Sequence, residues 1–337
     1  MMRSARLGVF FLLAAACGFL APAAEAQDGA GKNEAAAAKP VVSVGTVVVS
    51  MPEFELAVRQ AMRKKFYHGK VPEAQVVELQ REVADQIVNQ TLLLDEAKRR
   101  GIQPRGEKMK QAVSGFDERY GKSANWKENR ERMLGQVVPE LERRDVLEQL
   151  EQSVREVPVP KEEEVLAFYE ARKDLFTEPE KLRLSLILLK VDPSSTKIVW
   201  DKAKEEGQAI YKRLLGGADF AELAKLHSGD ASASSGGDMG YLHRGMLPED
   251  LQVKVDSFKL GVIQEPMVTL HGVAILRLDE RVPPKLRAYK DVKERAADLL
   301  RRERGDKAWQ GLIAKLRKAT PFTIEEERFA ELAARLQ

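Results

Sequence analysis

The hydrophobic pattern changes period after Pro179, and this change constrains the fold more than any other feature of the chain. Before it, apolar residues recur at helical spacing. After it, Leu182, Leu184, Leu186 and Leu188 alternate with Arg183, Ser185 and Ile187. Alternation puts successive side chains on opposite faces, so this stretch is a strand with one strongly apolar face. Helical periodicity returns from about Tyr289 to Lys318. The order of helices, then a compact mixed unit, then helix again defines an α+β chain.

Val76, Leu79, Val83, Ile87 and Leu94 share one face of the clearest helix, with Lys98, Arg99 and Arg100 at its negative end and Gly101 as its stop. Upstream, Val41 to Val49 reads as one strand. Ser50 with Glu53 then forms a capping-box signature, with Pro52 in the first turn of the following helix. Further helices are expected near 105–120, 125–135 and 138–154, broken at Gly121 and Gly135, and another from Lys161 to about Leu175. Glu156 to Pro160 (EVPVP) reads as a hinge, because each proline pushes the preceding residue out of the helical region. Within the mixed unit, helices at 196–214 and 218–227 precede a Ser/Gly-rich loop at 228–237. Short strands are expected near 238–242, 265–269 and 273–279, with a helix between the first two.

The first residues address compartment. Arg3 and Arg6, the apolar run Leu7 to Ala16 and the small residues Ala24-Glu25-Ala26 have the form of a cleaved secretory signal. A rival reading lipidates Cys17, although Ala14-Ala15-Ala16 lacks a large aliphatic residue at the usual place. Cys17 is the only cysteine, so a chain cleaved at Ala26 has neither disulfide nor thiol nucleophile. No later apolar run is long enough for a transmembrane segment. Lys and Arg total 55 against 52 Asp and Glu, a near balance that gives no electrostatic case for nucleic acid. No P-loop or G-x-G-x-x-G is present and the four histidines are scattered, so no metal or other cofactor is implied.

Five blocks occur in an order that resembles a parvulin-type (PpiC, rotamase) peptidyl-prolyl cis/trans isomerase domain. They are Arg183 to Leu188, Gly217 to Ala224 (GADFAELA), His227 to Gly240 (HSGD…SGGDMG), Ser257 to Gly261 (SFKLG) and Glu265 to Thr269 (EPMVT). Asp219 there reads as the N-cap of a helix, and Gly236 and Gly237 as a pair able to take positive φ. Pro160 to Tyr169 and Phe176 to Glu180 resemble the lead-in segment of SurA-like periplasmic folding factors, and Ala319 to Thr323 their chain end. The resemblance implies a small antiparallel sheet with surrounding helices, embedded in an all-helical N- and C-terminal chaperone frame. It divides the chain into a signal peptide (1–26), a flexible linker (27–40), a helical N-terminal domain (41–158), a connecting helix (159–181), the parvulin-like domain (182–281) and a C-terminal helix packing on the N-terminal domain (282–337).

Parvulins are similar in using a histidine pair on adjacent strands, an Asp or Cys, and a hydrophobic proline pocket. Carried over, Asp230 takes the Asp/Cys position and is the candidate catalytic residue, although a loop-capping Asx role is equally open. Phe258, Met246 and either Leu251 or Val253 take the substrate pocket. The histidine positions are Leu186 and Ala274, so this chain departs from the pattern at both. His271 lies an odd number of residues from Ala274 and points to the other strand face. The implied partners are unfolded or proline-containing polypeptides of the cell envelope, and the implied location is the periplasm. A non-catalytic holdase with a parvulin-like binding domain is the alternative. The sequence names no client and no oligomeric state.

Overall fold

The computed structural model describes residues 40–66 and 71–336. The signal-peptide and Cys17 readings, most of the 27–40 linker and His68 lie outside the described residues. In chain order, β1 (Pro40–Val44) and β2 (Val47–Ser50) lead into α1 (Met51–Lys65), α2 (Glu73–Arg99), α3 (Gly106–Tyr120) and α4 (Ala124–Arg155). Next, α5 (Glu162–Ala171) passes through a 3-10 turn into β3 (Thr177–Glu178) and β4 (Lys181–Lys190). There follow α6 (Lys197–Leu215), α7 (Phe220–His227), a 3-10 turn at Ala231–Ser235, β5 (Asp238–His243) and α8 (Glu249–Asp256). The chain continues through β6 (Met267–Thr269), β7 (Gly272–Val282), β8 (Lys285–Leu286), α9 (Tyr289–Ala319), β9 (Phe322–Ile324) and α10 (Phe329–Arg335).

Two units form. One holds the described residues up to Val159 together with those from Leu299 onward, and the other spans Pro160–Asp298. In the first unit the Val41 to Val49 stretch is an antiparallel hairpin rather than one strand, because Gly45 and Thr46 turn the chain back. The sheet order is β2-β1-β9, with Val42 opposite Ile324 and Val44 opposite Phe322. The segment around Thr323 is thus a strand. The capping box at α1 is present: the Ser50 N–H donates to Glu53 Oε2 at 2.8 Å, and its hydroxyl to the same oxygen at 2.6 Å.

Val76, Leu79 and Val83 of α2 are buried as the periodicity requires. Most of that face joins Phe54, Val58, Leu147, Leu150, Trp309, Leu316 and Phe329 in one core. Phe54 and Phe329 stack with ring centroids 5.4 Å apart, and the buried Gln80 donates to the Phe329 carbonyl at 3.0 Å. Gly135 does not break α4, which runs as one 32-residue helix. Pro139 lies inside it, and the carbonyl its ring must avoid, four residues earlier, is that of Gly135, where backbone adjustment is easiest. The helix expected from Lys161 to Leu175 stops at Ala171, and a 3-10 turn continues to Phe176.

The second unit is built on a sheet of order β5-β4-β7-β6, antiparallel throughout. β4 pairs with β7 from Lys181–Val282 to Lys190–Gly272. Ile187, Leu189, Val273 and Ile275 face one way and meet Ile210 of α6 with Phe220 and Leu223 of α7. Each such side chain, fully buried, contributes about 1.5–3 kcal/mol relative to exposure. A one-residue slip would turn this whole set over, so burial of both faces fixes the register. Asp219 caps α7 as the sequence suggests, its carboxylate accepting from the Glu222 N–H at 2.8 Å.

Candidate functional site: an apolar cleft on the parvulin-like sheet

The opposite face of β4 and β7 is the floor of the candidate site. Leu186, Leu188, Ala274 and Leu276 form a buried apolar cluster there. Leu186 lies opposite Leu276 and Leu188 opposite Ala274, so Leu186 and Ala274 are diagonal neighbours across the strand pair. Met239 of β5, Leu251 of α8, Phe258 and Met267 of β6 pack around this floor, each half-buried. Leu182, Leu184 and Leu278 continue the face, backed by Val255 of α8.

A strand and a loop complete the edge of the floor. β5 pairs with β4 only as far as Ser185. Beyond that the loop 228–237 takes over: the Leu186 N–H donates to the Gly237 carbonyl at 2.8 Å, the Leu188 N–H to Ser228 Oγ at 3.1 Å, and the Gly229 N–H to the Leu188 carbonyl at 2.8 Å. Gly236 and Gly237 take φ of +68° and +86°. A Cβ on Gly237 would sit 2.6 Å from the Leu186 carbonyl oxygen, so only glycine lets the loop lie this close to the floor. Nearby, Ser185 Oγ donates to Asp279 at 2.6 Å, and the Arg277 guanidinium bonds that carboxylate at 2.5 Å and covers the Phe220 ring. This half-buried polar group ties β4 to β7 on the face that packs against α7, opposite the cleft.

Asp230 begins the 3-10 turn within this loop. Its carboxylate accepts from the Ser232 N–H at 2.9 Å and the Ser232 hydroxyl at 2.6 Å. The hydroxyl bond holds the carboxyl below its usual range. This is Asx-turn geometry. Of the expected pocket residues, Leu186, Ala274, Leu251 and Phe258 come together. Met246 and Val253 are 53% and 63% exposed and stand outside the cluster, so α8 turns Leu251 rather than Val253 inward.

The described histidines lie elsewhere. His227 Nδ1 is 3.0 Å from Glu206 Oε1 and its Nε2 3.4 Å from Arg213. His243 Nδ1 is 3.1 Å from the Arg244 carbonyl. His271 sits in the β6–β7 turn, where its N–H donates to Thr269 Oγ1. Sequence reasoning missed Leu188, Leu276, Met239 and Met267 as cleft residues. The two-residue alternation from Leu186 and Ala274 points to the first two, and the GGDMG and EPMVT blocks contain the others.

The cluster lining this cleft is apolar and can grip and dehydrate an apolar group. An antiparallel sheet with this helix order and an apolar cleft on one face defines a parvulin-type unit. Residues 187–280 match the family model of the PPIC-type PPIASE domain, and residues 1–130 that of the SurA-like N-terminal domain. The chain thus carries a PPIC-type PPIASE domain and a SurA-like N-terminal domain.

It is 27% identical over 237 residues to Chaperone SurA of Pseudomonas putida, a match covering 66% of this chain and 53% of that protein. With the Periplasmic chaperone PpiD of Escherichia coli it shares 29% identity over 203 residues, covering 51% and 32%. A solved SurA-like chaperone of Campylobacter jejuni is 18% identical, with 83% and 97% covered and a TM-score of 0.36. The chain spans about half the length of the SurA relative it matches, and a third of PpiD. Among the described residues no helix is long and apolar enough to cross a membrane.

Proposed function

We propose that this chain is an exported folding factor of the cell envelope whose second unit holds the proline of an X-Pro bond in the β4–β7 cleft and speeds its cis/trans exchange. The exchange is slow because conjugation gives the amide a barrier of about 18–20 kcal/mol. A twisted amide has lost part of its resonance dipole, so water stabilises it less than the planar ground state. A dry apolar cleft removes that preference for the planar form, and each 1.36 kcal/mol so gained is about a tenfold rate. The observation that carries this reading is the buried floor of Leu186, Leu188, Ala274 and Leu276, walled by Met239, Leu251, Phe258 and Met267. No nucleophile, metal or cofactor enters it.

Asp230 acts here by shaping the loop that lies against β4, not by exchanging a proton with the substrate. Met246 and Val253, exposed beside the cleft, are available to contact flanking residues of the polypeptide. Residues 1–26 supply export to the periplasm, a placement supported by the signal-like pattern and by the periplasmic chaperone among the relatives. Two-dimensional exchange NMR on short X-Pro peptides tests the proposal. Exchange accelerated in proportion to added protein is the expected result, and no acceleration with any peptide refutes catalysis.

A second reading, a holdase that only binds unfolded segments, is favoured by the two missing histidines and by the engagement of Asp230 with Ser232. Suppressed aggregation of a denatured client without prolyl exchange would select it.

A further inference from the structure

The first unit has its own concave apolar site, on the α3–α4 pair. Phe116 and Tyr120 lie one turn apart on α3, and Trp126 enters from the first turn of α4. Ring centroids are 6.4 Å apart for Phe116–Tyr120, 6.1 Å for Phe116–Trp126 and 5.6 Å for Tyr120–Trp126. Met133, Leu134 and Val137, farther along α4, complete a cavity of about 450 Å³. The indole N–H of Trp126 donates to Asp117 at 3.1 Å, and Arg130 binds the two oxygens of Asp117 at 2.7 Å each. The indole is thus anchored from its edge and its ring is left as a wall.

Charge selects the occupant. No charged side chain lines the cavity, and the carboxylate that touches the indole is already neutralised by Arg130. A charged group entering the cavity would be dehydrated without a partner of opposite sign, whereas a neutral apolar group would not. At the same cavity, Asn125 and Gln136 offer amide groups to a backbone. A polyproline II segment has no internal hydrogen bonds, presents its carbonyls outward and docks its rings on aromatic surfaces at low entropic cost.

We propose that the α3–α4 cavity binds a proline-rich segment of polypeptide in the polyproline II conformation, as a recognition site additional to the cleft on β4 and β7. The inference rests on the reading of the chain as a binder of unfolded polypeptide and is independent of whether the second unit catalyses exchange.

Calorimetric titration of the whole chain with a hexaproline peptide tests it, beside alanine-based peptides carrying either phenylalanine or lysine. Hexaproline is expected to bind more tightly than either. Tyr120→Ala, at an exposed ring, and Val137→Phe, which fills the cavity, should each weaken it about tenfold. Phe258→Ala should leave that component unchanged, and Tyr120→Ala should leave any X-Pro exchange by the second unit unchanged. Thermal unfolding by circular dichroism identifies a variant that fails to fold, in which case the other is read. With the β4–β7 cleft disabled by Phe258→Ala, hexaproline binding undiminished by a folded cavity variant, no hexaproline binding, or tighter binding of the phenylalanine or lysine peptide would overturn the proposal. Loss of prolyl exchange with hexaproline binding intact would refute only the catalytic reading of the second unit.

Discussion

Replacing Asp230 separates a shaping role from a chemical one. In Asp230→Ala the Ser232 N–H and hydroxyl lose their shared acceptor. Removing a comparable capping carboxylate costs about 0.5–2 kcal/mol, and this half-buried loop position points to about 1 kcal/mol. The carboxyl is held below its usual range, so its contribution is complete above the unfolded value of about 3.9 and is lost as pH falls through the lower folded value. Wild type and variant should therefore converge in stability below about pH 4. Asp230→Asn keeps an acceptor oxygen and should recover most of the loss. Denaturant unfolding measures these differences, and exchange NMR on one X-Pro peptide measures turnover. The Asp230 carboxylate is engaged with Ser232, so exchange should stay within about twofold of wild type in both folded variants. A fall of tenfold or more, with stability retained, would show that the carboxylate acts on the substrate and would refute the shaping role.

Phe258→Ala strips a wall of the cleft and should weaken X-Pro peptide binding about tenfold, read by titration, at a stability cost of about 2 kcal/mol. Gly237→Ala puts a methyl against the Leu186 carbonyl at positive φ, and a loss of about 2–4 kcal/mol is expected from chemical unfolding. In the first unit, Asp145 is buried and accepts from the Arg105 N–H at 2.8 Å and its guanidinium at 2.9 and 2.5 Å, with Lys108 also 2.9 Å away. Asp145→Asn should cost about 2–3 kcal/mol at pH 7, less than a wholly buried pair because Arg105 is partly exposed. Arg105 holds the Asp145 carboxyl far below its usual range, so that cost should shrink as unfolding is followed below about pH 4.

Local order was legible in the sequence wherever one element's own pattern decided it. The α2 face, the Ser50–Glu53 box, the Asp219 cap and the alternation of β4 all depend on residues within a turn or two of each other. Contacts between distant segments were not legible: β9 completes the β1–β2 sheet with a partner some 280 residues away in sequence, and nothing in Phe322-Thr323-Ile324 names that partner. Gly135 read alone signals a break, but paired with Pro139 it lets α4 continue. At the cleft, the choice between Leu251 and Val253 depended on the rotation of α8, an eight-residue helix whose pattern LQVKV offers either face. Asp230 carried two readings because its carboxylate suits chemistry and capping alike, and only its distances to Ser232 show which partner it has.

The central claim, that the apolar face of β4 and β7 receives the proline, is tested most directly by methyl NMR on methionine-labelled protein titrated with an X-Pro peptide. Met239 and Met267 wall the cleft, whereas Met51 and Met109 are buried in the first unit. Saturable shifts are expected at Met239 and Met267, absent with an alanine-substituted peptide and unaccompanied by shifts at Met51 and Met109. Accelerated exchange with both cleft methyls unmoved would contradict the claim.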